Sequence, residues 1–191
     1  MDVVFGSTNR GKIEEVSRIV GTRSKLVLID LETTRSRFGL PDIPVAIEDG
    51  TTYEHNARCK ALTYARWCQR PVIADDTGLE VGSLGGLPGV YTAGFGFERF
   101  RSLLLPGVSY PARFVCCMCF ADSSGRTVSV VRAIQGAIVI DQRKEVSLEP
   151  LPYSRFFIPS GEITSLRELS TLTTYRSHRG MALEALLGVL L

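Results

Sequence analysis

The hydrophobic positions in the first 30 residues follow the periods of a strand, a helix and a second strand. Residues 2–6 are short and β-favouring, and residues 7–11 form a polar turn. Beyond that turn the apolar residues recur at helical spacing, at Ile13, Val16, Ile19 and Val20. Residues 25–30 are again β-favouring. This order predicts a βαβ unit with parallel strands, and therefore an α/β fold.

The middle of the chain predicts a long helix followed by a buried strand. Thr51 and Glu54 are spaced as in a capping box, and the helix that they open extends to about Gln69. The apolar residues 72–74 predict a strand, and residues 75–78 are predicted to form the turn that ends it. In open α/β sheets such strand ends carry binding and catalytic groups.

The remaining pattern predicts two long strands and a C-terminal helix. Residues 112–121 and 127–140 are β-rich, and the polar residues between them predict a hairpin. Residues 166–169 predict a helical turn, and a final helix is predicted from the apolar stripe Ala182, Leu183, Leu186, Leu187 and Leu190. No repeat or linker interrupts the pattern. We predict one α/β domain, residues 1–191, with a mixed sheet flanked by helices.

Composition narrows the classes of partner. The 191 residues carry 22 Lys and Arg against 20 Asp and Glu, a net charge of +2, so nucleic-acid binding is not expected. No apolar run approaches the roughly 18 residues of a membrane span, and the first residues lack the pattern of a signal peptide. We predict a cytoplasmic protein with no nucleic-acid or membrane partner.

The five cysteines predict no disulfide framework and no zinc site. Cys116, Cys117 and Cys119 lie in a predicted strand, where alternation places Cys116 on one face and the other two on the opposite face. Cys59 and Cys68 are nine residues apart, a spacing unlike that of zinc motifs. We expect buried thiols that pack as small apolar residues.

A candidate phosphate site lies at the first turn. The segment Gly6-Ser7-Thr8-Asn9-Arg10-Gly11-Lys12-Ile13 differs at one position from the phosphate-loop pattern and lies between a predicted strand and helix. Backbone N–H groups, the helix N-terminus and Lys12 suit a phosphate. Ile13 stands where a hydroxyl would bind magnesium, so the metal ligands are expected elsewhere. The alternative is a polar turn with a solvated lysine.

Three carboxylates, Glu48, Asp75 and Asp76, are the candidate metal ligands. Mg²⁺ takes oxygen ligands and is usually held by one or two carboxylates together with substrate phosphates. Glu48 precedes the long helix, whereas Asp75 and Asp76 are consecutive, so a strand directs them to opposite faces and one of them faces the site. A solvated turn is the alternative for the Asp pair.

Two further pairs suit an anionic substrate. Asn56 and Lys60 are four residues apart on one helix face near its N-terminus, where together they are predicted to reach a phosphate. The alternative is a solvated lysine. His178 and Arg179 precede the last helix and suit a nucleobase edge or a phosphate oxygen, or else a helix cap.

Four segments in order resemble the inosine triphosphate pyrophosphatase family, whose members remove non-standard purine nucleotides, and the likeness covers nearly the whole chain. The first is Ser7-Thr8-Asn9-Arg10-Gly11-Lys12, and the second is Thr52-Tyr53-Glu54-His55-Asn56-Ala57, with Glu48 before it and Lys60 after it. The third covers residues 74–91, which begin Ala74-Asp75-Asp76-Thr77-Gly78-Leu79. The fourth is Ser177-His178-Arg179-Gly180-Met181-Ala182-Leu183.

The resemblance implies an elongated α/β fold with a long central mixed sheet, a homodimer, and Mg²⁺-dependent hydrolysis of ITP, dITP and XTP to the monophosphate and pyrophosphate. It implies that Glu48 and Asp76 hold the metal, with Asp75 as a further candidate, and that Asp76 activates water. His178 and Arg179 would read the base. The other implied substrate contacts are Ser7, Thr8, Asn9, Arg10, Gly11, Lys12, Asn56, Lys60, Thr77 and Tyr153.

The chain departs from the family pattern around the implied base pocket. A stacking aromatic and a base-facing Asp are replaced by Leu151 and Ser154, and a Lys by Thr173. We therefore expect a narrower preference for ITP and XTP over GTP and ATP. The alternatives are a phosphate-loop kinase or NTPase, which Ile13 disfavours, and a degenerate member that binds nucleotide without hydrolysis.

Overall fold

The computed structural model describes residues 2–21, 26–141, 152–172 and 174–190. Its strands are β1 (Asp2–Phe5), β2 (Val27–Asp30), β3 (Val72–Val81), β4 (Pro88–Gly89), β5 (Ser109–Ala121), β6 (Thr127–Val139) and β7 (Phe157–Pro159). Its α-helices are α1 (Arg10–Gly21), α2 (Leu31–Phe38), α3 (Tyr53–Cys68), α4 (Thr92–Phe95), α5 (Phe97–Ser102), α6 (Leu166–Leu169) and α7 (His178–Leu190).

The sheet is mixed. Its strand order is β2-β1-β3-β5-β6-β7, and β4 pairs with β3. β1 runs parallel to both β2 and β3, while β4 is antiparallel to β3 and β7 is antiparallel to β6. β1, α1 and β2 form the predicted βαβ unit. The predicted α/β class, with a mixed sheet flanked by helices, is confirmed.

The chain forms two compact units. The first comprises Met1–Asp76, Cys116–Val131 and Arg179–Leu191, and the second comprises Thr77–Val115 and Arg132–His178. Three long strands, β3, β5 and β6, each contribute residues to both units. The prediction of a single domain over residues 1–191 stays a prediction.

In the first unit, strand alternation divides the core between two helical layers. On one face Phe5 and Cys116 pack with the apolar sides of α1 and α7. On the other face Val4, Cys117 and Cys119 pack with α3. The three thiols are fully buried, and their division between the two clusters confirms the predicted packing on opposite faces.

In the second unit, an aromatic cluster forms the core. The Phe97 ring stacks on Phe156 at 5.1 Å between ring centres, and the Tyr153 ring meets Phe97 and Phe100 edge-on at 5.2 and 5.1 Å. These rings pack with apolar side chains of β3 and β6.

Two sequence predictions about element boundaries are wrong. The α3 cap is Thr52 rather than Thr51, because Thr52 has extended backbone and its hydroxyl accepts from the His55 N–H at 3.2 Å. The strand predicted to end at residue 74 continues through the acidic pair to Val81. No helix of the described residues is long and apolar enough to cross a membrane.

Candidate active site

The two acidic side chains of β3 are both buried and have different partners. Asp75 is 1% exposed and Asp76 is 6% exposed. The Asp75 carboxylate contacts Lys12 and Arg179, whereas the Asp76 carboxylate contacts Asn56 of α3. The pleat of β3 therefore separates the pair, as the sequence predicted.

Asp75 belongs to a buried chain of four charges. Its Oδ2 accepts from Lys12 Nζ at 2.9 Å and from Arg179 Nε at 3.2 Å. The Nη1 group of Arg179 donates in turn to the Glu15 carboxylate. Arg179 is 1% exposed and Glu15 is 8% exposed. Two cations and two anions make the net charge of these four side chains zero, and charges buried this deeply require such compensation.

The surroundings of Asp75 and Arg179 favour the charged form of each group. Burial raises the pKa of Asp75, but the charges of Lys12, Arg179 and Lys60 outweigh burial and hold that pKa well below its usual range. Burial lowers the pKa of Arg179, but Glu15 and Asp75 outweigh it and raise that pKa further above its usual range. Asp75 is thus a permanent anion at neutral pH.

Asp76 has the opposite electrostatic setting. Burial raises its pKa, and the charge of Glu48 adds to that increase. A hydrogen bond from Asn56 and the charges of Lys60 and Lys12 lower the pKa, but they do not cancel the effect of burial. A carboxylate whose pKa is raised accepts a proton more readily, which suits a general base.

Lys60 contacts both Glu48 and the backbone of Asp75. Its Nζ lies 2.5 Å from Glu48 Oε2 and donates to the Asp75 backbone carbonyl at 3.0 Å. Burial lowers the pKa of Lys60, but Asp75 and Glu48 outweigh burial and raise that pKa. A buried, charged ammonium group therefore lies beside Glu48 and close enough to Asp76 to affect its titration.

The amide of Asn56 connects the Glu48 loop to Asp76. Its Oδ1 accepts from the Gly50 N–H at 2.8 Å, and its Nδ2 donates to Asp76 Oδ2 at 3.0 Å. A Cβ on Gly50 would lie 2.4 Å from the His55 ring and 2.6 Å from Asn56 Oδ1, so only glycine permits this approach. The amide is thus engaged by protein groups, and its predicted contact with phosphate stays a prediction.

The phosphate-loop candidate is a capped helix start. Asn9 Oδ1 accepts from the Lys12 N–H at 3.2 Å, which caps α1, and Ser7 Oγ accepts from the Asn9 N–H at 3.2 Å. Ser7 is buried, and Thr8 and Arg10 are exposed. The loop thus places the N-terminus of α1 and Lys12 in the same unit as Asp75, Asp76 and Lys60.

The carboxylates fit a metal that is shared with a substrate. Glu48 and Asp76 are oxygen donors close enough for the charge of Glu48 to raise the Asp76 pKa, a repulsion that a divalent cation would relieve. Among the residues that the structure describes, no group of three or more His, Cys, Asp or Glu is arranged to hold a metal. Two carboxylates completed by phosphate oxygens match the usual Mg²⁺ site.

The other predicted substrate residues lie in the second unit. Thr77 is half-buried in β3, and Tyr153 belongs to the buried aromatic cluster, where burial raises its pKa to about 12. The His178 ring is buried and stacks on Phe114 at 5.0 Å between ring centres. Ser154 is also buried. Leu151 and Thr173 lie outside the described residues.

Sequence reasoning missed Glu15 and Gly50. Glu15 lies three residues after Lys12 and next to the buried Val16, so an acidic residue on the apolar side of α1 was the available signal. Gly50 precedes a capped helix, and nothing local indicates that its backbone meets a side chain. Both residues act through partners that only the tertiary structure supplies.

Comparisons with known proteins show the family and the fold of the chain. A model of the Ham1 family matches residues 3–189. A dITP/XTP pyrophosphatase of Exiguobacterium sp. is 35% identical over 197 residues, which cover 97% of this chain and 95% of that protein. A dITP/XTP pyrophosphatase of Shouchella clausii is 36% identical over 188 residues, with 88% and 93% covered. The structure of the Staphylococcus aureus Ham1 protein superimposes with a TM-score of 0.72 at 26% identity, covering 100% of this chain and 98% of that one.

Proposed function

Because the chain belongs to the Ham1 family, we propose that it is a hydrolase of phosphoric anhydrides that converts dITP, XTP and ITP to the monophosphate and pyrophosphate. The relatives above carry the name dITP/XTP pyrophosphatase, and ITP shares the 6-oxo purine edge of those substrates. The observation that carries the proposal is the arrangement around Asp76, a buried carboxylate that accepts a hydrogen bond from Asn56, with Lys60 held in the same unit by Glu48 and the Asp75 carbonyl.

In this proposal Asp76 takes the proton of the attacking water. The water oxygen forms a bond to the α-phosphorus, the bond from that phosphorus to the bridging oxygen breaks, and pyrophosphate leaves with the bond electrons. The hydrogen bond from Asn56 holds the Asp76 carboxylate in place, so that it can orient the water and accept its proton. Asp75 does not compete as the base, because two cations hold it ionised.

Lys12 and Lys60 are the proposed phosphate ligands. Each is mostly buried and already paired with a carboxylate, so each ammonium group is held in place before substrate arrives. Fixed positive charge at the phosphate chain stabilises the negative charge that collects on the leaving group. The N-terminus of α1 adds backbone N–H groups to the same task.

Glu48 and Asp76 are the proposed ligands of Mg²⁺, and Asp75 is left as a counter-ion. When bound, the metal would supply positive charge to the phosphate oxygens beside the breaking bond. Glu48 Oε2 contacts Lys60, so this carboxylate orients the lysine and would also hold the metal when it is bound.

Base recognition is proposed for His178. Stacking on Phe114 fixes the plane of its ring, and a fixed imidazole can hydrogen-bond a purine edge. Arg179 was predicted to share this task, but its guanidinium contacts Asp75 and Glu15, and its contact with the nucleobase stays a prediction. A homodimer in the cytoplasm also remains part of the proposal, and sedimentation equilibrium checks the dimer.

Product analysis tests the proposed function. The native protein is incubated with Mg²⁺ and each of ITP, dITP, XTP, GTP and ATP, and pyrophosphate and inorganic phosphate are measured separately. We expect pyrophosphate as the product. We also expect a higher kcat/KM for ITP, dITP and XTP than for GTP and ATP. Inorganic phosphate as the product would indicate cleavage at the γ-phosphate, and no product from any substrate would indicate a binding protein without catalysis.

A further inference from the structure

The loop that carries Glu48 and the strand that carries Asp76 are joined by one side-chain amide. We propose that Asn56 is a positioning residue, which holds Asp76 and the Glu48 loop in the single arrangement that the reaction uses. The inference rests on the proposed function of Asp76, and it assigns to Asn56 a role different from the phosphate contact that the sequence predicted.

Both ends of the Asn56 amide are committed to protein groups. Oδ1 accepts from the Gly50 N–H at 2.8 Å, and Nδ2 donates to Asp76 Oδ2 at 3.0 Å, with a longer contact of 3.4 Å to the Gly50 carbonyl. Asn56 is 2% exposed, so water does not replace these partners readily. A hydrogen bond to an ionised, buried acceptor is among the stronger ones that a neutral amide makes.

Only an amide satisfies both neighbours. The Gly50 N–H requires an acceptor, whereas the Asp76 carboxylate requires a donor. An aspartate at position 56 would keep the acceptor but would place a like charge near Asp76. An alanine would leave both partners without the amide, and a buried group that loses its partner is costly.

The position of the amide is itself set by neighbouring structure. Thr52 caps α3, and the Asn56 N–H donates to the Thr52 carbonyl at 3.2 Å, so the amide lies one turn into the helix. Gly50 has no Cβ to separate its backbone from Oδ1. The cap and the glycine bring the loop against the helix, and the amide extends that contact to β3.

The expected kinetic result distinguishes positioning from phosphate binding. Asn56→Asp and Asn56→Ala are compared with the native protein using ITP and Mg²⁺. We expect kcat to fall at least about tenfold while KM changes less than about threefold. The interaction that is lost orients Asp76, the proposed general base, and does not contact the substrate. Gln69→Glu is the matched control, since it makes the same amide-to-acid change at the exposed end of the same helix, and it should retain native kinetics.

Two measurements that do not depend on turnover complete the test. Mn²⁺ binding, followed by EPR with a non-hydrolysable triphosphate analogue, should weaken roughly tenfold in Asn56→Ala, as is typical when a group that orients a metal ligand is removed. The double variant Asn56→Asp with Asp76→Asn exchanges acid and amide. It should melt above Asn56→Asp, because the exchange restores a donor facing an acceptor, and it should release no pyrophosphate.

Three results would overturn the role of Asn56. A tenfold rise in KM at native kcat would make Asn56 a phosphate ligand. Native kcat, KM and Mn²⁺ affinity in Asn56→Ala would show that the bridge has no function. An exchanged double variant that melts no higher than Asn56→Asp would show that the two side chains do not share a hydrogen bond. Failure of the proposed function is seen separately, as absence of turnover in the native protein, and leaves the melting comparison decisive for the bridge.

Discussion

Asp75 and Asp76 are adjacent in the sequence, but the protein shifts their pKa values in opposite directions. Burial raises the pKa of both carboxylates. The charges of Lys12, Arg179 and Lys60 outweigh burial at Asp75, whereas the Asn56 hydrogen bond and the charges of two lysines do not outweigh it at Asp76. Two carboxylates whose pKa values are moved apart by their surroundings are suited to different tasks. At the residue scale, Asp75 serves as a fixed counter-ion and Asp76 as the proposed base.

Asp76→Asn should abolish turnover and spare the fold. An amide cannot take the proton of water, so pyrophosphate release should fall at least about 100-fold, a barrier increase of roughly 2.7 kcal/mol. Because the pKa of Asp76 is raised by folding, its charge disfavours the folded state at neutral pH, and the variant should melt no lower than the native protein. Asp42→Asn, at an exposed carboxylate, is the control. A variant that kept a tenth of the native rate would remove Asp76 from the role of base.

Lys60→Met should weaken binding of the phosphate chain. The variant keeps most of the apolar stem and removes the charge, so ITP should bind at least about tenfold more weakly, while inosine should bind as it does to the native protein. Titration calorimetry with Ca²⁺ in place of Mg²⁺ measures both. Arg66→Met removes an exposed cation from the same helix and should change neither affinity. Equal losses of affinity for ITP and inosine would show that Lys60 contacts the nucleobase or has a structural role.

At the scale of elements, a buried ion pair joins α1 to α7. Arg179 lies at the start of α7, and its guanidinium contacts Glu15 of α1 as well as Asp75 of β3. Residues 164 positions apart in sequence are thus held together in the interior. The pair links the first helix to the last one without exposing either charge to water.

Glu15→Gln should destabilise the protein strongly. Removing the Glu15 charge leaves Arg179 and Lys12 to share Asp75, so the buried chain acquires a net charge of +1. Breaking a buried pair in this way costs about 3 kcal/mol or more, which for a chain of this size lowers Tm by roughly 6 °C or more. Glu14→Gln, at an exposed position on the same helix, should leave Tm nearly unchanged. Equal Tm values for the two variants would show that the Glu15 contact adds no stability.

At the scale of the whole molecule, the charged interior makes stability depend on pH. Folding lowers the pKa of Asp75, so its contribution to the free energy of unfolding is present above the unfolded value of about 3.9 and is lost as pH falls below it. Urea unfolding of the native protein and of Asp75→Asn at several pH values should show a large difference at pH 7. That difference should shrink below about pH 4. A difference that stayed constant down to pH 3 would contradict the assignment.

The sequence predicted most of the fold, because the local pattern of residues indicates most of its helices and strands. Alternating apolar residues and helical spacing gave the βαβ unit, the two long strands and the last helix, and alternation alone gave the opposite faces of Cys116 and Cys117. The site was predicted as a set of residue types rather than as an arrangement. Glu48, Lys60 and Asp76 were chosen for their chemistry, and the structure shows that Lys60 lies beside Glu48 and affects the titration of Asp76.

The sequence by itself determined which residues carry charge, which segments favour strand or helix, and which motifs link the chain to its family. Only the tertiary structure decided that β3 continues through Asp75 and Asp76. A local pattern of two acids followed by threonine and glycine favours a turn, because nothing nearby in the sequence offsets the cost of burying the two acids. The compensating groups come from α1, α3 and the start of α7, and Arg179 lies 104 residues from Asp75. The cost of removing these carboxylates from water is offset by residues that are close in space, whereas the preference for a turn is set by residues that are close in sequence.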